Sequence, residues 1–185
     1  MADKKNSIDA ASKDKNVAGD FEVQLVLFTV GGDRFAIDIM KAKEIIKPVK
    51  VTPLPDVPDF TKGVINLRGV LLPIMSMRER LGLSDNEEEN MGNESRIIIV
   101  AIKKMLVGII VDFVEEIIRV PLKDVQPPPK IAKGIDSRYL LGMCRIDDEA
   151  LVLLDLDKIL SSSEKVLIEG LKANSKSKGK KNKSD

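Results

Sequence analysis

Side chains that usually carry catalysis are scarce in this chain. Histidine, the commonest general base and metal ligand, is absent. Glu115 and Glu116 are adjacent, as are Asp147 and Asp148. Adjacent side chains in a strand face opposite ways, so neither pair makes a catalytic dyad, and solvated or turn positions are expected. Asp155 and Asp157 lie two apart, without a further acidic or phosphate-binding partner. They fit the start of a short helical turn, "LDLDKIL", where the helix dipole favours carboxylates. Neither G-x-x-x-x-G-K-S/T nor G-x-G-x-x-G occurs. The single cysteine, Cys144, has no internal partner and reads as a small buried hydrophobe in a reducing compartment. An enzyme is not expected, nor a metal or cofactor site. A docking function has more support: "AIDIMKAKEIIKPVKVTPLP" sets aliphatics among lysines, as a groove for a partner helix would.

The elements that would position such a groove are strands. "VQLVLFTVGGDRFAIDI" is an apolar run, a Gly-Gly-Asp turn and a second run, the pattern of a β-hairpin. "RIIIVAIKKMLVGIIVDFV" repeats it, with Lys103-Lys104 at the turn. Val, Ile and Leu dominate both, as half-buried pleated surfaces favour. The proline clusters "TPLPDVP" and "QPPPK" cannot donate ladder hydrogen bonds and mark connections. An internal repeat emerges. Phe35–Ile46 aligns with Val107–Ile118 at an offset of 72 residues, and Gly63–Leu81 with Gly142–Leu160 at an offset of 79, neither block needing a gap. The second copy therefore carries seven extra residues (79 − 72) in its proline-rich connection. Two copies suit two similar small barrels packed together. Short helical turns are expected at "SMRERLG" and "DLDKIL". A longer helix over 161–173 opens with an S-x-x-E capping box at Ser161 and Glu164.

Charge divides along the chain. The net charge is +1, but Leu171 to Asp185 holds six lysines and one aspartate, or +5, which leaves 1 − 5 = −4 for the rest. Residues 1–20 and 174–185 are polar without apolar period and are expected to be disordered tails. The stretch 84–95, "SDNEEENMGNES", reads as an acidic loop between the halves. The longest clean apolar run, "IIIVAI", falls far short of the ~20 residues of a spanning helix, so no membrane insertion is expected. The N-terminal residues lack the apolar region of a secretory signal.

Three segments carry a family resemblance: "FAIDIMKAKEI", "VGIIVDFVEEII" and above all "KGVINLRGVLLPI". The last holds a G-V-x-N-L-R-G-x-x-x-P pattern in full, from Gly63 to Pro73. Over residues 21–160 the chain resembles the CheW family of chemotaxis coupling proteins. The run after Pro73 departs slightly: Ser76 stands where aspartate is common, while Arg78 is kept. The resemblance implies an all-β fold of two intertwined SH3-like five-stranded β-barrels without catalytic activity. It implies an adaptor, a monomer when free, that bridges membrane chemoreceptors to the histidine kinase CheA. Its location would be cytoplasmic, at receptor arrays on the inner membrane. The receptor's hairpin tip would lie near Ile39, Ala42, Glu44, Ile45, Gly63, Asn66 and Arg68. The kinase's regulatory domain would pair with it barrel to barrel.

Arg68 resembles the arginine that the family needs for coupling. Its guanidinium offers five donors in a rigid fork. At a turn before Gly69 it has two uses: a latch to a carboxylate or carbonyls across the seam between the barrels, or a contact offered to a partner. A latch would be worth about 1–2 kcal/mol. A competing reading is a nucleic-acid-binding barrel that uses the lysine-rich tail. The acidic body and the single tyrosine, Tyr139, argue against it, because single-strand binding needs a basic groove with stacking aromatics.

Overall fold

The structure, a computed structural model, describes residues 21–83, 94–128 and 134–178, with residues 171–178 through the backbone alone. The polar segment 1–20, most of the acidic stretch 84–95 and the last residues of the basic tail lie outside these.

Ten strands form two five-stranded sheets. The first half of the chain supplies β1 (Glu22–Val30), β2 (Asp33–Asp38), β3 (Ala42–Ile46), β4 (Thr61–Leu67) and β5 (Val70–Ser76), then the single turn α1 (Met77–Arg80). The second half supplies β6 (Arg96–Ile102), β7 (Met105–Val111), β8 (Phe113–Pro121), β9 (Leu140–Ile146) and β10 (Glu149–Leu154), then α2 (Ser162–Lys178). The first barrel has the order β8-β1-β2-β10-β9 and the second β3-β6-β7-β5-β4. Replacing each strand by its repeat counterpart turns one order into the other, so the offsets of 72 and 79 read from the sequence mark a real duplication of topology. The halves are exchanged as well. Each barrel takes one hairpin from one half and three strands from the other, joined by parallel pairings, β10 on β2 and β5 on β7. These are two intertwined SH3-like barrels.

The two hairpin runs are more apolar than half-buried strands require, and the fold shows why. Leu25 and Leu27 of β1 point into the first barrel, while Val26, Phe28 and Val30 point into a core shared between barrels. Ile97 and Ile99 of β6 fill the second barrel, and Ile98, Val100 and Ile102 join the shared core. Strands buried on both faces read as continuous apolar runs. The half-buried expectation is corrected accordingly.

Among the helical segments, α1 forms where "SMRERLG" suggested, with the Ser76 hydroxyl accepting from the Glu79 amide at 3.3 Å. "DLDKIL" is instead a series of turns closed by Lys158 N to Asp155 O and Ile159 N to Leu156 O. Asp155 and Asp157 spend their carboxylates on side-chain and amide partners there, so no regular helix starts. The capping box of α2 is reciprocal: Ser161 N donates to Glu164 Oε2 at 2.6 Å, and Glu164 N to Ser161 Oγ at 3.2 Å. The helix was expected to stop at 173 and runs to Lys178, because nothing from Leu171 onward breaks it before Gly179.

Candidate docking site

The hairpin of β4 and β5 stays in register up to the Leu67–Val70 pair, which leaves Arg68 and Gly69 as a two-residue loop. Both have positive φ, 52° and 83°. Two-residue hairpin loops of this hand match the strand twist, which is why they demand such angles. Gly69 adopts its angle freely, whereas Arg68 bears a penalty of about 1 kcal/mol. The loop is pinned by Asn66, whose Oδ1 accepts from Gly69 N at 2.8 Å. Held this way, the Arg68 fork reaches Glu44 with both ends: Nη1 to Oε2 at 3.0 Å and Nη2 to Oε1 at 2.8 Å. Glu44 lies on β3 and Arg68 follows β4, the two edge strands of the second barrel. The pair therefore clasps the edges of one barrel. A latch across the seam between barrels, one of the two uses read from the sequence, is not what forms, because strand exchange assigns β3 and β4 to the same barrel. The Arg68 side chain remains 76% exposed, so the clasp leaves the fork on the surface.

The other expected site residues divide between this edge and the barrel junction. Ile45, beside Glu44, is 43% exposed. Gly63 is buried beneath the segment that carries Thr52, which exchanges two backbone hydrogen bonds with Val64 at 2.9 and 2.8 Å. A Cβ on Gly63 would stand 2.0 Å from the Thr52 carbonyl oxygen, and its φ is +135°, so only glycine fits. Ile39 and Ala42 are half-buried and pack on the shared core, joined by Ala42 N to Ile39 O at 3.1 Å. The structure thus brings Glu44, Ile45, Asn66 and Arg68 to one edge, supports it with Gly63, and places Ile39 and Ala42 at the junction leading to it.

Several polar clusters escaped the sequence. Arg80 lies between the rings of Phe60 (4.5 Å) and Tyr139 (4.8 Å), donates from Nε to the Ile159 carbonyl at 2.5 Å, and grips both oxygens of Glu164 at 3.2 Å. It fixes the start of α2 onto both barrels. Arg78, almost fully buried, donates to Asp112, which also accepts from Gly31 N at 2.7 Å. Glu115, expected to be solvated, receives the Arg34 fork and the Thr29 hydroxyl. That contact raises the Arg34 guanidinium above its ordinary value. Asp157 accepts from Lys41 Nζ at 2.6 Å and from Lys103 N at 3.1 Å, and these bonds, Lys41's foremost, hold its carboxyl below the usual range. Their partners lie far apart in sequence, so no local pattern announces them. Cys144 is buried as expected, and burial pushes its thiol up, away from reactivity. Among the described residues no helix is long and apolar enough to cross a membrane.

Comparison with known proteins bears on what such a double barrel does. The family model described as "CheW-like domain" matches residues 24–164. "Chemotaxis protein CheW" of Treponema pallidum is 36% identical over 147 residues, covering 78% of this chain and 86% of that protein. "Chemotaxis protein CheW" of Klebsiella aerogenes is 33% identical over 151 residues, covering 80% of this chain and 87% of that protein. A solved structure, the scaffolding protein TtCheW from Thermoanaerobacter tengcongensis, superposes with a TM-score of 0.71 at 30% identity, covering 78% of this chain and 91% of that one. The matched region takes in both barrels and the Arg68 hairpin, and on these grounds the chain belongs to the CheW family, a chemotaxis scaffold and adaptor rather than an enzyme.

Proposed function

We propose that this protein couples membrane chemoreceptors to the histidine kinase CheA by binding both. The observation that carries the reading is the Arg68 hairpin. A fully charged fork is kept at a costly backbone angle, ordered by Glu44, and left 76% exposed beside exposed Ile45. An always-charged fork placed on such a turn and left on the surface points to use by a partner. The receptor's helical hairpin tip lies along this edge and the junction, near Ile39, Ala42, Glu44, Ile45, Gly63, Asn66 and Arg68. The regulatory domain of the kinase docks barrel against barrel through other apolar faces. The free protein is a cytoplasmic monomer, recruited to receptor arrays at the inner membrane. The nucleic-acid reading has little support: Tyr139 is stacked on Arg80, Phe28, Phe35 and Phe60 are buried, and of the aromatics only Phe21 and Phe113 are exposed.

The test is binding of the full chain to a receptor hairpin fragment and to the isolated regulatory domain, each alone and then together. Both binary complexes and a ternary complex are expected. Binding to only one of them would refute the bridging role.

A further inference from the structure

The chain crosses between the barrels twice, from β2 to β3 and from β7 to β8, and an ionic cluster sits at each crossing. At the β7–β8 crossing the carboxylate of Asp112 accepts from Gly31 N and from Arg78. At the β2–β3 crossing the carboxylate of Asp157 accepts from Lys103 N and from Lys41 Nζ. The repeat relates the two clusters. Gly31 and Lys103, at an offset of 72, each open a hairpin turn with positive φ, 62° and 54°. Arg78 and Asp157 correspond at an offset of 79. The signs of charge are exchanged: where one cluster has the arginine the other has the carboxylate, and the cation comes instead from the crossing, as Lys41.

The clusters also differ in what they leave outside. The residue that matches Asp112 is Met40, the neighbour of Lys41. Arg78 is buried, whereas the side chains of Lys41 and Asp157 are 35% and 39% exposed, and Met40 is 73% exposed. A pair so exposed adds little to stability. The turn it holds is nevertheless tied on every side. Met40 N donates to Asp38 Oδ1 at 2.8 Å, Lys41 N to the Asp38 carbonyl at 2.9 Å and Lys43 Nζ to the Met40 carbonyl at 3.0 Å. Ala101 N of β6 donates to the Lys41 carbonyl at 2.8 Å. From α2, Lys165 Nζ donates to the Asp157 carbonyl at 2.8 Å. The result is an ordered turn with a large apolar side chain in solvent, set between Ile39 and Ala42. Order already present in the free protein lowers the cost of binding.

We propose that Asp157 is a positioning residue of the receptor site: through Lys41 it holds the β2–β3 turn, with Met40 at its tip, in the form that the receptor hairpin binds. Asp157 itself does not touch the receptor. The inference rests on the coupling role proposed above.

The experiment uses the full chain with Asp157→Asn, Lys41→Met, the two together, and Lys41→Arg. Asn keeps an oxygen for the Lys103 amide and removes the charge that holds Lys41. All four variants should melt within about 4 °C of wild type, because the pair is exposed. Affinity for a receptor hairpin fragment should fall about 5-fold in each of Asp157→Asn and Lys41→Met, the population shift that a pair of this exposure can supply. The double variant should be no weaker than the weaker single one, and Lys41→Arg should stay within about 2-fold of wild type. Affinity for the kinase's regulatory domain should stay within about 2-fold throughout. If Lys41→Met lowers receptor affinity and Asp157→Asn does not, Lys41 touches the receptor and Asp157 positions nothing. Losses that multiply in the double variant would also overturn the proposal, since only independent sites add. Equal losses toward both partners would reduce the cluster to a device for stability. If the wild-type chain itself fails to bind the receptor fragment, the coupling role falls and this inference with it.

Discussion

Replacing Arg68 separates the two uses that its position allows. In the structure the fork makes two hydrogen bonds to Glu44, but the two side chains are 76% and 31% exposed. Exposed ion pairs contribute about 0.2–1 kcal/mol, with bidentate geometry placing this one toward the upper end. Against that stands the backbone penalty of about 1 kcal/mol for a non-glycine residue at φ 52°. Arg68→Ala removes the pair and keeps the penalty, so a loss of up to about 1 kcal/mol is expected, or roughly 2–4 °C in a domain of this size. Arg68→Asn removes the pair but tolerates the angle, and should melt within about 2 °C of wild type. The 1–2 kcal/mol expected from the sequence was for a latch at the barrel seam; the exposure of the pair lowers it.

Function should not follow that scale. Both variants should lose assembly of the receptor–kinase complex, measured as kinase activation in reconstituted arrays, far more than they lose stability. Arg68→Lys keeps the charge without the planar fork and should rescue only in part. The charge swap Glu44→Arg with Arg68→Glu restores a clasp while moving the fork to β3. If the clasp alone matters, the swap will assemble like wild type, and the view of Arg68 as a partner contact is wrong. Melting of Arg68→Asn ~8 °C or more below wild type would also refute the reasoning, because the exposed geometry cannot supply so large a loss.

Gly63→Ala should destabilise by about 2–4 kcal/mol in denaturant titrations, since its Cβ would meet the Thr52 oxygen at 2.0 Å. Gly142→Ala, its repeat counterpart, should cost less, with contacts of 2.8 and 2.9 Å and the first to a movable valine methyl. Arg80→Ala should cost about 2–4 kcal/mol and raise amide exchange across the start of α2, because it empties a stack between two rings and leaves Glu164 with only its capping bond from Ser161 N. Asp157→Asn should cost about 1 kcal/mol at pH 7, allowing for its partial exposure. Its carboxyl is held below its unfolded value, so this stability is present above about pH 4 and is lost as pH falls through the folded value. The difference in melting temperature between Asp157→Asn and wild type should therefore shrink at about pH 3, and a constant gap from pH 7 to pH 3 would contradict the assignment.

How far the sequence disclosed this protein depends on the range of each interaction. The hairpin of β1 and β2 was legible because its turn glycines, Gly31 and Gly32, lie between two apolar runs, and both have positive φ. The cap of α2 was legible because Ser161 and Glu164 are three residues apart. The repeat was legible as pattern, since each strand keeps its neighbours in order. What pattern could not convey is which half pairs with which. The β10–β2 and β5–β7 contacts are parallel and join distant segments, and nothing local distinguishes an exchanged pair of barrels from two separate ones. Family resemblance supplied that step. The clusters at Arg80 and Asp157 were missed for the same reason: Arg80 meets its oxygen partners 79 and 84 positions away, and Asp157 meets Lys41 at a distance of 116.

The repeat also decides how much weight the strained turn at Arg68 can bear. Its counterpart, at an offset of 79, is Asp147-Asp148, with φ values of 50° and 65°. The left-handed turn is thus common to both barrels and is not in itself a mark of function. The distinction lies in the residue placed on it. Aspartate tolerates positive φ comparatively well, so Asp147 and Asp148 suit a plain turn. Arginine does not, yet it occupies the equivalent position in the second barrel. The residue matching Glu44 at an offset of 72 is Glu116, another carboxylate, so Asp147 and Glu116 cannot form the clasp that Arg68 and Glu44 form. One fold, used twice, carries the charged fork once. That asymmetry, rather than the strain alone, is what supports placing the proposed partner contact at the second barrel's edge.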